Sequence, residues 1–219
     1  MVARQDFHKE LRNLIEELLY MGNLVEQSIS NAVTALQRKD IKLAKEVIGG
    51  DERIDALELE IESTCLTLIA RQQPMANDLR KIATALKIIT DLERISDHAV
   101  DIAKICIKID KEPLIKPLVD IPNMAVLTEK MVNKALKSFI NEDVELAYEV
   151  CKDDDQIDSY HKQILGELML YMDKECKNIE QATQLMFVSS SLERIGDHST
   201  NICEWLIYMV TGERKELNN

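Results

Sequence analysis

The sequence predicts an all-α fold of two pseudo-symmetric, antiparallel three-helix bundles that arose by internal duplication. Three observations support this prediction. Apolar residues recur with the 3.6-residue period of a helix along almost all of the 219 residues. The chain holds six glycines, four prolines and 30% charged residues, a composition typical of long helices. The two halves of the chain also align with each other.

Two pairs of segments carry the duplication. The stretch DLERISDHAVDIAK at 91–104 matches SLERIGDHSTNICE at 191–204 at seven of fourteen positions without a gap. Upstream, DIKLAKEVIGGDERID at 40–55 aligns with DVELAYEVCKDDDQID at 143–158, displaced by 103 residues. Each half is therefore a copy of one structural unit.

Six helices follow from the periodicity and from the residues that begin and end them. The predicted helices span 7–38, 40–72, 75–109, 122–140, 143–174 and 178–211. Asp40 and Asp143 suit N-caps after the first turn of each half, and Pro74 suits the first turn of the third helix. Gly212 suits the last C-cap. Helices of this length joined by very short turns must run antiparallel.

Three of the four prolines separate the two halves. Pro113, Pro117 and Pro122 lie in the stretch KEPLIKPLVDIP, where they oppose continuation of a helix. The predicted organisation is a first repeat at 1–112, a linker at 113–117, a second repeat at 118–212 and a polar tail at 213–219.

Composition excludes several classes of function. A formal charge of -12 and a pI near 4.9 disfavour binding to DNA or RNA, which requires many phosphates to be neutralised. No apolar run approaches the roughly 20 residues that span a bilayer, and the first residues, MVARQDFHKE, lack the apolar core of a secretion signal. The five cysteines include no C-x-x-C pair, which favours reduced thiols. We expect a cytoplasmic protein that does not insert into the membrane.

Paired carboxylates recur at corresponding positions of both halves. They follow one another at intervals of four residues, on the side of each helix opposite the apolar stripe, so we expect them to be surface groups. Each such like-charge pair costs roughly 0.2 to 0.5 kcal/mol, which a bound cation would offset. The predicted metal ligands are Asp51, Asp55, Glu93, Asp97 and Asp101 in the first half and Asp154, Asp158, Glu193, Asp197 and Asn201 in the second.

Oxygen donors of this kind suit a hard cation such as Mg, Mn, Ca or Fe, whereas Zn and Cu sites usually recruit histidine or cysteine. His98 and His198 directly follow an aspartate, project about 100° away from it and are poor co-ligands. His161, three residues after Asp158, could join the second site, where the first half has Glu58. The alternative interpretation is an ordinary solvated helix face that binds no metal.

Five further side chains are assigned no chemistry. Arg94 and Arg194 are expected to form surface ion pairs with nearby acids, and Phe187, Trp205 and Tyr208 are expected to be packing residues.

The stretch QQPMANDLR at 72–80, together with LERISDH and LERIGDH a hundred residues apart, resembles the PhoU family of phosphate-regulatory proteins over nearly the whole chain. The resemblance implies two three-helix bundles and E(D)xxxD motifs that bind metal clusters, reported for iron and zinc and proposed for Mg or Mn. These motifs map onto the ten residues named above. The halves differ in that Ser96 replaces Gly196 and Asp101 replaces Asn201, so equal affinity of the two sites is an open question.

By resemblance, the protein is a negative regulator of phosphate uptake and of the phosphate-starvation response. The implied partners are the ATPase subunit of the phosphate ABC transporter and its sensor histidine kinase, with peripheral recruitment to these membrane complexes. A homodimer or higher homo-oligomer is expected, and no enzymatic activity.

Two alternatives stay open: a metal-free helical scaffold, and a di-iron carboxylate enzyme, for which the chain lacks the second Glu-x-x-His-like pair. We expect no direct phosphate binding, because the sequence shows no glycine-rich cradle or arginine cluster.

Overall fold

The computed structural model describes residues 2–217, with side chains described for residues 7–217. The described residues form six α-helices, one 3-10 turn and no strand, which confirms the all-α prediction. The helices are α1 (Val2–Arg38), α2 (Ile41–Gln72), α3 (Ala76–Lys108), α4 (Asp120–Asn141), α5 (Val144–Lys174) and α6 (Ile179–Thr211), with the 3-10 turn at Cys176–Asn178.

The predicted caps at the helix ends are confirmed at three positions. The Asp40 carboxylate accepts hydrogen bonds from the backbone N–H groups of Lys42 and Leu43, both at 3.0 Å. Asp143 accepts one from Leu146 at 3.0 Å. Each aspartate thereby satisfies donors that a helix start leaves unpaired. Gly212 ends α6 with φ of 77°, a left-handed conformation that glycine adopts without steric cost.

Two prolines lie elsewhere than expected. Pro74 precedes the N-cap residue Met75, so α3 begins at Ala76 and Pro74 is outside its first turn. Pro122 lies inside the first turn of α4 and does not stop it. A proline is tolerated there because the N–H groups of a first helical turn have no intrahelical acceptor.

The six helices pack as two bundles joined along two helix pairs. Helices α1, α2 and α3 contact one another, as do α4, α5 and α6. The bundles meet where α3 packs against α6 and α1 against α4, while α2 and α5 each contact only helices of their own bundle. A Cβ atom at Gly22 of α1 would clash with the Leu136 side chain of α4, so glycine permits this close approach.

The centre of the α3–α6 contact marks the pseudo-symmetry of the molecule. The rings of His98 and His198, which occupy equivalent positions of the two repeats, have centroids 5.7 Å apart. The two helices run antiparallel here, because Asp91, before His98, meets Asn201, which follows His198. One hydrophobic core continues across both bundles, with Leu92 and Leu192 fully buried at equivalent positions.

The connection between α3 and α4 is held against the second bundle. The backbone N–H of Ile115 donates to the Gln181 side chain at 2.6 Å, and the same side chain donates to the carbonyl of Pro113 at 3.1 Å. The buried Lys116 forms an ion pair with Glu167 of α5. These contacts tie the segment that contains the predicted linker to α5 and α6.

Among the described residues, no helix combines the length and the apolar composition that crossing a bilayer requires. All five cysteines are free, as the sequence predicts, and three of them, Cys65, Cys106 and Cys203, are buried.

Candidate metal centres

The first carboxylate cluster lies between α2 and α3. We define it as Asp51, Asp55, Glu58, Glu93 and Asp97. Residues at intervals of three or four share one face of a helix, so each helix presents its acids together on the side facing the other. Burial, followed by the negative charges of Asp97, Glu58 and Asp55, raises the pKa of Glu93 above its ordinary value. The carboxylates of Asp55, Glu58 and Asp97 are therefore close enough to that of Glu93 to repel it.

The second carboxylate cluster lies at the equivalent place between α5 and α6. We define it as Asp154, Asp158, Glu193 and Asp197. Burial raises the pKa of Asp154 to about 7, with Asp197, Asp158 and Glu193 as the next causes. The pKa values of Glu193 and Asp197 are raised too, first by burial. Three of the four carboxyl groups of this cluster are therefore harder to ionise than ordinary ones.

One residue distinguishes the environments of the two aspartates nearest the core. In the first cluster the hydroxyl of Ser96 donates to the Asp51 carboxylate at 2.6 Å and lowers a pKa that burial raises. The second repeat has Gly196 at this position, which carries no hydroxyl to donate to Asp154. A Cβ atom at Gly196 would lie 2.7 Å from the Asp154 carboxylate oxygen, so the aspartate occupies the space that a side chain would need.

Two of the ten predicted ligands lie outside the clusters. Asp101 is exposed and pairs with Lys104 at 3.4 Å. Asn201, its equivalent, donates across the α3–α6 contact to Asp91 at 3.4 Å. Neither side chain is among the groups that shift the pKa of Asp51, Glu93 or Asp154. The structure thus brings eight predicted ligands together in two groups of four and separates this remaining pair from them.

The carboxylates lie outside the hydrophobic core, as expected, but most of them are only partly exposed. The Glu93 side chain keeps 20% of its accessible surface, because α2 covers it, whereas Asp97 keeps 47%. Burial is the largest cause of every raised pKa in both clusters. The clusters lie outside the hydrophobic core, in grooves that are only partly open to solvent.

Cations border both clusters from the solvent side. Arg94 lies 3.4 Å from both Glu93 and Asp97, as the sequence predicts, and Lys162 lies 3.1 Å from Asp158. Both basic side chains are more than half exposed, and exposed ion pairs contribute roughly 0.2 to 1 kcal/mol. Such pairs are weak enough for a multivalent cation to replace.

The histidines differ in their relation to the clusters. His98 and His198 face the α3–α6 contact, where His198 hydrogen-bonds to Asp91 at 2.9 Å. His161 hydrogen-bonds to Ser189 at 2.9 Å and lies close enough to Glu193 to lower its pKa. The second cluster therefore has an imidazole where the first has Glu58.

The donor chemistry fits a hard cation. In the described part of the chain, no three histidine, cysteine, aspartate or glutamate side chains are arranged as a ready-made metal site. The clusters nevertheless offer only oxygen donors apart from His161. The neighbouring acids add to the pKa rise that burial causes, and a cation would relieve their repulsion. A cation favours the ionised carboxylates, so it would compete with their protonation.

The sequence analysis did not identify three residues that shape the clusters or the neighbouring α3–α6 contact. Glu58 follows Asp55 by three residues and so shares its helix face, a signal that the spacing contains. The sequence shows that Ser96 replaces the glycine of the second repeat, Gly196. It does not show the hydrogen bond from Ser96 to Asp51, which depends on how closely α2 approaches α3. Asp91 has no counterpart in the second repeat, where Ser191 stands, and nothing in the sequence marks it.

Comparison with known proteins identifies relatives of this chain. The PhoU domain family matches residues 18–106 and 121–206, one copy in each bundle. The chain is 42% identical over 219 residues, 100% of both chains, to the phosphate-specific transport system accessory protein PhoU homolog of Clostridium acetobutylicum. It is 34% identical over 207 residues to the phosphate-specific transport system accessory protein PhoU of Escherichia coli, covering 94% of this chain and 86% of that one.

A solved structure agrees with the fold. The crystal structure of PhoU from Pseudomonas aeruginosa superposes with a TM-score of 0.90 at 37% identity, covering 94% of this chain and 100% of that chain. Two domain matches, full-length relatives and a superposable crystal structure lead to one conclusion: the chain belongs to the PhoU family.

Proposed function

We propose that this protein is an accessory regulator of a phosphate-specific transport system and a negative regulator of phosphate uptake and of the phosphate-starvation response. The observation that carries the proposal is the 42% identity, over the whole of both chains, to a relative named for that system. In this role the protein couples the ATPase subunit of the transporter to the sensor histidine kinase, and it is recruited from the cytoplasm to these membrane complexes.

The outer helices provide the surface for such partners. Leu66 of α2 is 54% exposed, and its equivalent in the second repeat, Met169 of α5, is 58% exposed. Leu59 and Leu170 lie on the same two helices and are more exposed still. Exposed apolar side chains lose contact with water when a partner covers them, which favours binding. In this proposal these faces serve partner binding or the contact between subunits of a homodimer.

Both carboxylate clusters, in this proposal, bind a hard cation, with Fe, Mn or Mg favoured over Zn and with more than one ion per cluster allowed by the number of oxygens. The support is the grouping of four predicted ligands between α2 and α3 and of four between α5 and α6, where the neighbouring acids add to the pKa rise that burial causes. A cation there draws the outer helix of each bundle toward the inner one and so alters the surface that a partner meets. The role is non-catalytic.

Deletion of the gene in its own host tests the regulatory proposal. The readout is a phosphate-starvation promoter fused to a reporter, measured in high phosphate. We expect the promoter to become active in the deletion strain and to be repressed again by the wild-type gene. A reporter that stays repressed in the deletion strain would contradict the negative role.

A metal-free adaptor is the second candidate, favoured by the absence of a ready-made group of three donors among the described residues. Affinity capture of the transporter ATPase subunit and the kinase separates the two candidates. Capture that survives EDTA and the Asp97→Asn/Asp197→Asn change would favour the adaptor. Capture that both treatments abolish would favour metal-dependent docking.

A further inference from the structure

A groove between α3 and α6 is open on one side of the His98/His198 centre. We name it the open groove; it encloses about 380 Å³ and is lined by Lys104, Ile105, Lys108, Phe187, Ser191 and Arg194. Three cations face one carboxylate, that of Asp101. Phe187, expected from the sequence to be a packing residue, is instead 57% exposed. A net positive groove with an exposed aromatic ring is unusual on a chain of charge -12.

The duplication gives this groove an equivalent on the other side of the centre, which we name the covered groove. At the offset of 100 residues, Ile105 corresponds to Trp205, Lys104 to Glu204, and Phe187 to Lys87. The Lys87 ammonium group lies 5.5 Å from the centre of the Trp205 ring. The two grooves thus share a backbone framework and differ in their side chains.

The covered groove is occupied by an extended segment of the chain itself, residues 213–217. The guanidinium of Arg214 lies 5.2 Å from the Trp205 ring centre, at cation–π distance. The backbone N–H of Leu217 donates to the Glu204 carboxylate at 2.6 Å, and the Leu217 side chain packs against the core. Lys215, which follows Arg214 in the chain, donates to the Tyr148 hydroxyl of α5 at 3.1 Å, beyond the α3–α6 contact. This surface therefore holds a short peptide by one backbone hydrogen bond, one apolar side chain and two basic residues.

The charge of the open groove is reversed at the position that accepts this peptide's backbone. Lys104 stands where Glu204 accepts the backbone N–H of Leu217. Ser191, which lines the open groove, is neutral where its equivalent Asp91 is acidic. A basic segment would be repelled there, whereas a carboxylate would be attracted. Ile105 and the exposed Phe187 give the open groove an apolar surface. An apolar side chain of a bound peptide could pack there, as the Leu217 side chain packs against the core in the covered groove.

We infer that the open groove is a docking site for an extended acidic segment of a partner protein, one that carries two or more carboxylates and an apolar side chain. Lys104, Lys108 and Arg194 pair with the carboxylates, and the apolar side chain lies against Phe187. The inference goes beyond the proposed function, because it depends neither on metal in the carboxylate clusters nor on the identity of the partner.

Fluorine NMR of the full-length protein tests the inference directly. The chain has only three phenylalanines, so incorporation of 4-fluorophenylalanine gives three signals, and Phe187→Leu identifies one of them. The probe is the hexapeptide GEEEEL, the sequence of residues 212–217 with Arg214→Glu and Lys215→Glu; the peptide of native sequence, GERKEL, is its control. All samples contain EDTA.

We expect GEEEEL to shift the Phe187 signal in a saturable manner, while the signal of the buried Phe139 stays in place. GERKEL should bind at least about tenfold more weakly. Lys104→Glu/Lys108→Glu should weaken binding of GEEEEL by about tenfold, because the reversal removes two attractive charge pairs and adds repulsion. Lys42→Glu/Lys45→Glu, on exposed positions of α2, changes the net charge equally and should leave binding unchanged.

Three outcomes would overturn the inference. One is a Phe187 signal that GEEEEL leaves unmoved at millimolar concentration. Another is an equal loss of binding in the α2 control variant, which would reduce the effect to net charge. The third is a saturable shift with ATP and none with either peptide, which would identify the groove as a site for an organic phosphate.

Discussion

The two carboxylate clusters occupy equivalent places in the two repeats but hold protons differently. In the first, the Ser96 hydroxyl stabilises the ionised Asp51 through a 2.6 Å hydrogen bond. In the second, Gly196 offers no donor, and burial with the surrounding acids raises the pKa of Asp154 to about 7. The residue at position 96 or 196 therefore contributes to the difference, since burial raises the pKa of both aspartates and only Asp51 has a serine donor that opposes the rise. Duplication kept the carboxylates at equivalent positions and changed the groups around them.

This difference bears on cation binding. A cation that binds to the first cluster meets carboxylates that are already more nearly ionised, whereas one that binds to the second must displace the proton of Asp154. Affinity at the second cluster should consequently rise more steeply with pH between about 6 and 8. The two sites are thus expected to respond to different conditions.

Removal of the buried charge in the second cluster should have the largest effect on stability. The pKa of Asp154 is about 7 in the folded state against an ordinary 3.8, so its contribution to stability is complete below pH 4 and is lost as pH rises to about 7. In EDTA at pH 8, Asp154→Asn should raise the free energy of unfolding by about 1 to 2 kcal/mol. At pH 4 the gain should disappear.

Urea unfolding at the two pH values measures this effect, with Asp51→Asn as the matched variant in the first cluster. The gain from Asp51→Asn should be smaller, because that substitution also weakens the hydrogen bond from Ser96. An equal gain in both variants would remove the contrast between the clusters.

Loss of the serine donor should make the first cluster resemble the second. Ser96→Ala keeps the Cβ atom but leaves the buried carboxylate of Asp51 without its donor, at a cost of about 1 kcal/mol at pH 8. The pKa of Asp51 should rise, which a carbon-13 NMR titration of the aspartate carboxyl groups would detect. A pKa that does not move in the variant would show that burial alone sets the protonation of Asp51.

The imidazole of the second cluster should produce a smaller difference, in metal preference. His161 lies beside Glu193, where the first cluster has Glu58, and nitrogen donors favour Zn over Mn. His161→Gln should therefore weaken Zn binding several-fold and leave Mn binding nearly unchanged in isothermal titration. An equal loss of both metals would assign His161 a structural role through its hydrogen bond to Ser189.

The opposite substitution, serine for Gly196 in the second repeat, should have the smallest effect on stability. A Cβ atom at Gly196 would meet the end of the Asp154 side chain, which can rotate away and accept a hydrogen bond from a new hydroxyl. Gly196→Ser should lower the pKa of Asp154 from about 7 and change the free energy of unfolding by about 0.5 kcal/mol, within the range of glycine replacements in helices. A strong destabilisation would mean that Asp154 cannot move.

Much of the fold could be predicted because its signals are local. The caps at Asp40, Asp143 and Gly212 depend on the chemistry of single residues and were placed correctly. The eight clustered carboxylates were also found, since i,i+4 spacing puts them on one helix face. Their burial could not be predicted, because it depends on how closely α2 and α5 cover the inner helices.

The two predicted ligands that lie apart from the clusters, Asp101 and Asn201, have a geometric explanation. Each step of four residues turns 40° about the helix axis, so Asp101 points about 80° away from Glu93. That rotation carries Asp101 out of the α2 groove and toward α6, where it lines the open groove. Asn201 turns by the same angle and reaches Asp91 of α3. The sequence contains the rotation, but only the packing of α3 on α6 shows which neighbour it meets.

The central claim is that the stacked carboxylates bind metal, and elemental analysis tests it most directly. The wild-type protein is compared with Glu93→Gln/Asp97→Asn/Glu193→Gln/Asp197→Asn after loading with Fe, Mn, Mg and Zn and removal of free metal. A control variant removes four exposed charges of the outer helices, Glu46→Gln/Glu60→Gln/Glu145→Gln/Glu149→Gln. All three must be folded by circular dichroism. We predict that the wild type and the control retain metal and the cluster variant does not; equal retention in all three, or none in the wild type, would contradict the account.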